Sequence, residues 1–301
     1  MSETNTRPAA PPFDEDEAAA PPAPPRQGLK KGLYLLPSIF TTLNIAMGFY
    51  AIMNMLRAFQ LLDSPGDALL SVEYFDGATR AIGFAVVCDA LDGRIARMTK
   101  TTTEIGVQLD SIADVVTFGV APAVMAYAWG YGSALPETHQ LHSFGFLISF
   151  FYLMCGGFRL ARFNVQASRP RVLAAGTTKT DKKSFVGLPI PAAAGLLAAV
   201  IHFAPQPLLL YGPARAELYS GLLMALVALL SVLMVSTIRY TSFKAVETQK
   251  SSPRLIIAGL AALGMCIWLY SRYAMLAIAG LYVLHGLLWR AWGLVRRTPS
   301  V

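Results

Sequence analysis

Four aspartates fall within residues 89–114, DALDGRIARMTKTTTEIGVQLDSIAD: Asp89, Asp92, Asp110 and Asp114. The flanks are apolar enough to lie in a membrane, where a carboxylate is costly and marks function. Asp89 and Asp92 are three residues apart, and Asp110 and Asp114 four, so on helices each pair shares a face. Between the pairs, the polar segment MTKTTTEI is about right for turning one helix back antiparallel to the next. All four carboxylates then converge across one helix–helix seam. Gly93, Ala96 and Gly106 leave that seam with little bulk, so backbones or a ligand can come close. Four clustered negative charges in low dielectric repel strongly, and hard divalent cations with oxygen ligands are the natural neutraliser.

The elements that must position these residues are membrane helices. Of 301 residues, 54% are hydrophobic and only 14% charged, against about 25% charged in ordinary globular chains. Mean hydropathy is +0.48. The formal net charge of +7 reads as cytoplasmic loops and not as nucleic-acid binding, because no basic helix or aromatic-basic strand pattern accompanies it. Cys88, Cys155 and Cys266 fall in predicted spans without paired spacing, which implies neither disulfides nor a metal knuckle.

Residues 1–28 are Pro/Ala-rich with an acidic patch and cannot bury a core, so a disordered tail is expected. Spans follow at about 33–57, 78–98, 105–131 and 142–165, with a polar loop over 58–77 and a basic loop over 166–185. A fifth span opens at GLPIPAAAG, where Pro189 and Pro191 should break or bend the start of the helix. Further spans are expected near 215–238, 254–270 and 273–292. The fold class is thus all-α, a polytopic membrane bundle of about eight helices. The expected domains are the tail (1–28), a membrane domain (29–240) and a C-terminal hairpin with its own tail (241–301).

With the amino terminus inside, the inner face receives Lys30, Lys31, Arg94, Arg97, Lys100 and the basic residues of 159–183, whereas the outer side keeps Arg57, Arg80, Arg215 and Arg272. That bias puts both termini in the cytoplasm and the aspartates near the inner interface, as in a bacterial inner membrane.

Intramembrane carboxylates suit either a divalent-metal site or an ion path. The dense cluster near one face, instead of relays at successive depths, favours catalysis. So do Arg94 and Arg97 on the same helix end, since arginines serve a phosphate-handling site better than a cation channel. Two divalent ions would balance four carboxylates, and a two-metal clamp suits in-line displacement at phosphorus. Polar Thr41, Thr42 and Asn44 at membrane depth either hydrogen-bond between helices or line a polar pocket. Arg159 and Arg162, three apart, could hold a substrate diphosphate, an acceptor carboxylate or lipid headgroups. Asn164 could complete that pocket or cap its helix. Glu137, His139 and His142 have a passable metal-ligand spacing but fall in a predicted outer loop.

Asp89-x-x-Asp92-Gly93-x-x-Ala96-Arg97, eight residues, then Gly106-x-x-x-Asp110-x-x-x-Asp114 resembles the signature of the CDP-alcohol phosphotransferase family at every fixed position. The resemblance is densest over 33–195. It implies an all-helical membrane enzyme with a six-helix core that exchanges an alcohol for CMP on a CDP-linked lipid. It implies Mg²⁺ or Mn²⁺, two ions, on Asp89, Asp92, Asp110 and Asp114, with Asp114 doubling as general base. Gly93, Ala96, Arg97, Gly106 and Asn44 would face the nucleotide and its phosphates. Arg159, Arg162 and Asn164 would form the acceptor or phosphate pocket. Family members look like homodimers.

Three stretches, LPSIFTTLNIAMGF (36–49), GFRLARFNVQ (157–166) and FVGLPIPAAA (185–194), resemble the phosphatidylserine synthase branch of that family. Ser38 departs from it, standing where the branch has Asn. The branch implies CDP-diacylglycerol and L-serine as substrates, in phospholipid biosynthesis. Other acceptors would be glycerol 3-phosphate or inositol phosphate, for which Lys179, Lys182 and Lys183 would supply cations. A cation transporter is the remaining alternative from another class.

Overall fold

Long apolar stretches leave the backbone no partner in lipid except itself, so the chain forms helices. The computed structural model describes residues 28–64, 66–99, 104–168, 184–241 and 271–295. The tail over 1–27 and the span expected over 254–270 lie outside the described residues. In order come α1 (Gly28–Leu62), α2 (Ser71–Thr99) and α3 (Glu104–Asp114). The chain then continues through a π-helical turn (Val115–Val120), α4 (Ala121–Met125), a second π turn (Ala126–Tyr131) and α5 (Gly132–Ala134). After these come α6 (Gln140–Ser168), β1 (Ser184–Val186), α7 (Ile190–Phe203), α8 (Pro213–Val235), β2 (Arg239–Thr241) and α9 (Ser271–Val295).

Six stretches among the described residues are long and apolar enough to cross a membrane: 39–62, 105–134, 140–166, 190–211, 213–235 and 271–288. The polytopic helical class holds. The count of eight is not reached, because one expected span is outside the described residues and α2 is more polar than the rest. The loop expected over 58–77 is also shorter than that. Ala58–Leu62 contains no helix breaker, so α1 runs to Leu62. Asp76, inside the expected loop, forms an i,i+4 ion pair with Arg80 at 2.6 Å within α2.

α2 packs chiefly on α1 and also on α7; α7 in turn carries α9, and α6 packs on α8. The run from α3 to α5 is central, with 61% of its most apolar stretch buried against 17% in α9. Pro122 sits inside that run and lacks an N–H, which would leave the carbonyl four residues earlier unpaired. That carbonyl, of Phe118, instead accepts from the Tyr152 hydroxyl of α6 at 3.2 Å. Outward-facing Phe49, Leu56, Val87, Phe146, Leu222 and Val232 supply the apolar surface a bilayer requires.

Near the end of the bundle where α8 finishes, β1 and β2 form a two-stranded antiparallel ribbon with Phe185 opposite Tyr240. Three-residue strands are too short to show an alternating pattern in sequence. Gly187 follows β1 with φ +83°, and a Cβ there would lie 3.2 Å from the Ser236 carbonyl oxygen and closer still to that of Met234. Its N–H donates to Ile238 O at 2.8 Å, and Leu188 N–H donates to Leu233 O at 3.0 Å. Pro189 is extended, and α7 starts at the next residue with Pro191 in its first turn, the break the two prolines predicted. At the opposite end, fully buried His202 of α7 lies 2.6 Å through Nδ1 from Asp76 Oδ1 of α2. Its Nε2 meets Ser271 Oγ of α9 at 3.0 Å.

Candidate active site

Asp89 comes from α2, and Asp110 and Asp114 from α3. One carboxylate oxygen of each lies within 4.8 Å of the others. The helical spacing of Asp110 and Asp114 is what turns both toward Asp89. Asp114 is buried, and its Oδ1 has no hydrogen-bond partner among the described residues. At such separations each pair of ionised carboxylates repels by a few kcal/mol, on the order of 3 at an effective dielectric near 20. A partly enclosed cluster of acceptor oxygens, one of them orphaned, is the donor set that a hard divalent cation takes. Among the described residues it is the single grouping of three or more His, Cys, Asp or Glu side chains able to share an ion.

Asp92 stands beside this trio. It is buried, near enough to Asp110 for their charges to interact, and its Oδ2 accepts from the Thr41 hydroxyl of α1 at 2.6 Å. Thr41 therefore makes the interhelical hydrogen bond that its position suggested, and the partner is one of the four aspartates. Asn44, one turn further along α1, is 1% exposed with its side-chain amide against Asp114. Its amide atoms reach ordinary hydrogen-bond geometry with nothing described. The Asn44 main-chain carbonyl accepts from Thr117 Oγ1 at 2.9 Å. One turn on, Gly48 lets the helices touch: a Cβ there would be 2.9 Å from Thr117 Cα. Small residues of this kind allow close helix approach inside membranes.

α6 contributes Arg159, Arg162 and Asn164, and the three separate. Arg159 interacts electrostatically with Asp114 and Asp89, and its Nε is buried without a described partner. Arg162 is exposed. Asn164 donates to Ser111 Oγ at 2.8 Å, tying α6 to α3 next to Asp110. The capping alternative for Asn164 is overturned, because α6 continues to Ser168. Gly106 is exposed on α3. Gly93, Ala96 and Arg97 lie in α2, with their side chains outside the described residues, as are Lys179, Lys182 and Lys183.

His142 is not available to a metal, since Nδ1 meets the Leu135 carbonyl and Nε2 the Tyr127 hydroxyl, each at 2.9 Å. Cys88 and Cys155 are buried and free.

A membrane-embedded acidic cluster with an arginine at its side has the chemistry to handle a metal-bound phosphate group. The chain belongs to the CDP-alcohol phosphatidyltransferase family, whose sequence model matches residues 34–234. Over 257 residues it is 33% identical to the CDP-diacylglycerol–serine O-phosphatidyltransferase of Helicobacter pylori, covering 85% of this chain and 91% of that one. It is 34% identical over 198 residues to the Saccharomyces cerevisiae protein of the same name, covering 66% of this chain and 64% of that one. The Methanocaldococcus jannaschii protein of that name is 28% identical over 208 residues, 69% of this chain and 81% of that one.

Proposed function

We propose that this chain makes phosphatidylserine, transferring the phosphatidyl group of CDP-diacylglycerol to the hydroxyl of L-serine and releasing CMP. The observation that carries this reading is the convergence of Asp89, Asp110 and Asp114 within 4.8 Å beside Arg159, inside the segment that defines the family. Asp89, Asp92, Asp110 and Asp114 would hold Mg²⁺ or Mn²⁺, two ions, which when bound offset the negative charge of the diphosphate. Asp114 accepts the serine hydroxyl proton as that oxygen attacks the phosphatidyl phosphorus. The bond from phosphorus to the bridging oxygen breaks on the opposite side, and CMP departs with that oxygen. A positioned base of this kind contributes about 10² to 10⁴-fold.

Gly93, Ala96, Arg97, Gly106 and Asn44 form the nucleotide and phosphate side of the site, and Arg159 its acceptor side, with Asn164 fixing α6 against α3 through Ser111. The catalytic membrane domain is 29–240. The Lys/Arg bias supports a cytoplasmic active site with both termini inside, and the family resemblance supports a homodimer.

The test offers purified protein CDP-diacylglycerol with serine, glycerol 3-phosphate or inositol phosphate, with and without chelator. Phosphatidylserine and CMP from serine, abolished by chelator, is the expected result. Equal turnover of glycerol 3-phosphate would overturn serine as the acceptor, and full activity in chelator would overturn the metal.

A further inference from the structure

Two tyrosines outside the segment that the family model matches are linked to Arg159 from the C-terminal part of the chain. Tyr240 lies in β2, and its side chain is fully buried. Gly286 of α9 closes over its ring so tightly that a Cβ there would stand 2.6 Å from the ring Cζ. The ring stacks on that of Tyr282 of α9, with centroids 5.9 Å apart and planes at 30°. Tyr282 lies within electrostatic reach of Arg159, which itself interacts with Asp114 and Asp89. Charge interactions thus link the carboxylate cluster to Arg159 and Arg159 to Tyr282, and ring stacking links Tyr282 to Tyr240.

Two donors along it are buried and unpartnered among the described residues: the Tyr240 hydroxyl and Arg159 Nε. Buried donors are normally satisfied, and a phenol and a guanidinium Nε both left without acceptors suit an acceptor-rich anion. Burial, reinforced by neighbouring Tyr282, pushes the Tyr240 hydroxyl up to about 12, so at neutral pH it is protonated and able to donate. A carboxylate matches this set, since guanidinium and hydroxyl donors give it charge-assisted hydrogen bonds.

We propose that Tyr240 and Tyr282 complete the acceptor pocket around Arg159 by binding the carboxylate of the amino-acid acceptor. This rests on serine being the acceptor and on Arg159 facing it. These tyrosines are specificity-determining residues: they separate an amino acid from an alcohol lacking the carboxylate, while the chemistry stays with the aspartates. The ribbon pairing that sets Tyr240 opposite Phe185 and the close approach at Gly286 hold the phenol in place.

Tyr240→Phe keeps the ring and its stacking and deletes one oxygen. Steady-state rates are measured on purified full-length protein with serine, with L-serinamide, and with CDP-diacylglycerol varied separately. The serine KM should rise about tenfold or more, the size expected for losing a hydrogen bond to a charged group. The KM for CDP-diacylglycerol should stay within about twofold, and the preference for serine over serinamide should collapse. An unchanged serine KM overturns the proposal. A rise confined to the CDP-diacylglycerol KM also overturns it, assigning the pocket to the diphosphate. If Tyr240→Phe does not fold, Tyr282→Phe is read by the same KM split and the same criteria. Failure of the wild-type protein to use serine would instead sink the acceptor assignment itself, an outcome the wild-type control separates from indifference of the variant.

Discussion

Replacing Thr41 by valine removes one hydroxyl and nearly nothing else. That hydroxyl donates to Asp92 Oδ2 at 2.6 Å in a buried setting, and valine keeps the β-branched shape, so no cavity opens. A hydrogen bond to a charged group is worth about 1.5–3 kcal/mol, and each ~1.4 kcal/mol is a factor of ten in an equilibrium constant. If Asp92 must be oriented to hold an ion, the loss should appear as about a 10- to 100-fold higher half-saturating metal concentration. That matches the usual effect of removing a group that orients a metal ligand. The low end is expected, because part of the bond energy is shared by the metal-free protein. The assay is CMP release from CDP-diacylglycerol and serine across a Mn²⁺ titration, with Thr41→Ser as the control that keeps the donor. A half-saturating concentration for Thr41→Val within twofold of wild type, in a folded protein, would refute the orienting role.

Asp110→Asn should abolish turnover even at raised Mn²⁺, while Asp114→Asn should still bind CDP-diacylglycerol yet turn over about 10² to 10⁴-fold more slowly; near-normal rates for Asp114→Asn would refute the base assignment. Gly48→Ala forces a methyl against Thr117, and the strain should cost about 1–3 kcal/mol, read as a lowered melting midpoint in detergent together with reduced activity. His202→Ala removes a buried hydrogen-bond partner of Asp76 at the far end of the bundle and should cost about 1–3 kcal/mol, with Arg80 still paired to the carboxylate. Thermal unfolding tests it, and an unshifted midpoint would mean that the pair contributes nothing net.

The convergence of Asp110 and Asp114 was legible because its signal is local: residues four apart on a helix share a face regardless of the rest of the fold. Pro189 and Pro191 were legible for a similar reason, since each constrains its own backbone. Thr41 stood out as polar, but its partner lies 51 residues away, and no spacing rule links residues across a helix–helix seam. Tyr240 and Tyr282 were harder still, because they look like ordinary aromatic content of membrane spans. What brings Tyr240 inward is a ribbon of two three-residue strands with a left-handed glycine behind it. The loop over 58–77 was drawn too long because its polar residues were read as a loop, whereas Asp76 is satisfied within the bundle by Arg80 and His202.

The π turn immediately after Asp114 has a consequence for how this helix could evolve. Taking one extra residue per turn resets the phase of everything downstream by about 100°. One rod can thereby aim Asp110 and Asp114 at the carboxylate cluster and Thr117 to Gly119, within the π turn itself, into the centre of the bundle. Deleting a single residue between 115 and 120 would yield a smoother helix that still inserts into the bilayer. Its two halves, however, would no longer agree on which way is in, and the lesion would surface as lost catalysis in a protein that reaches the membrane normally.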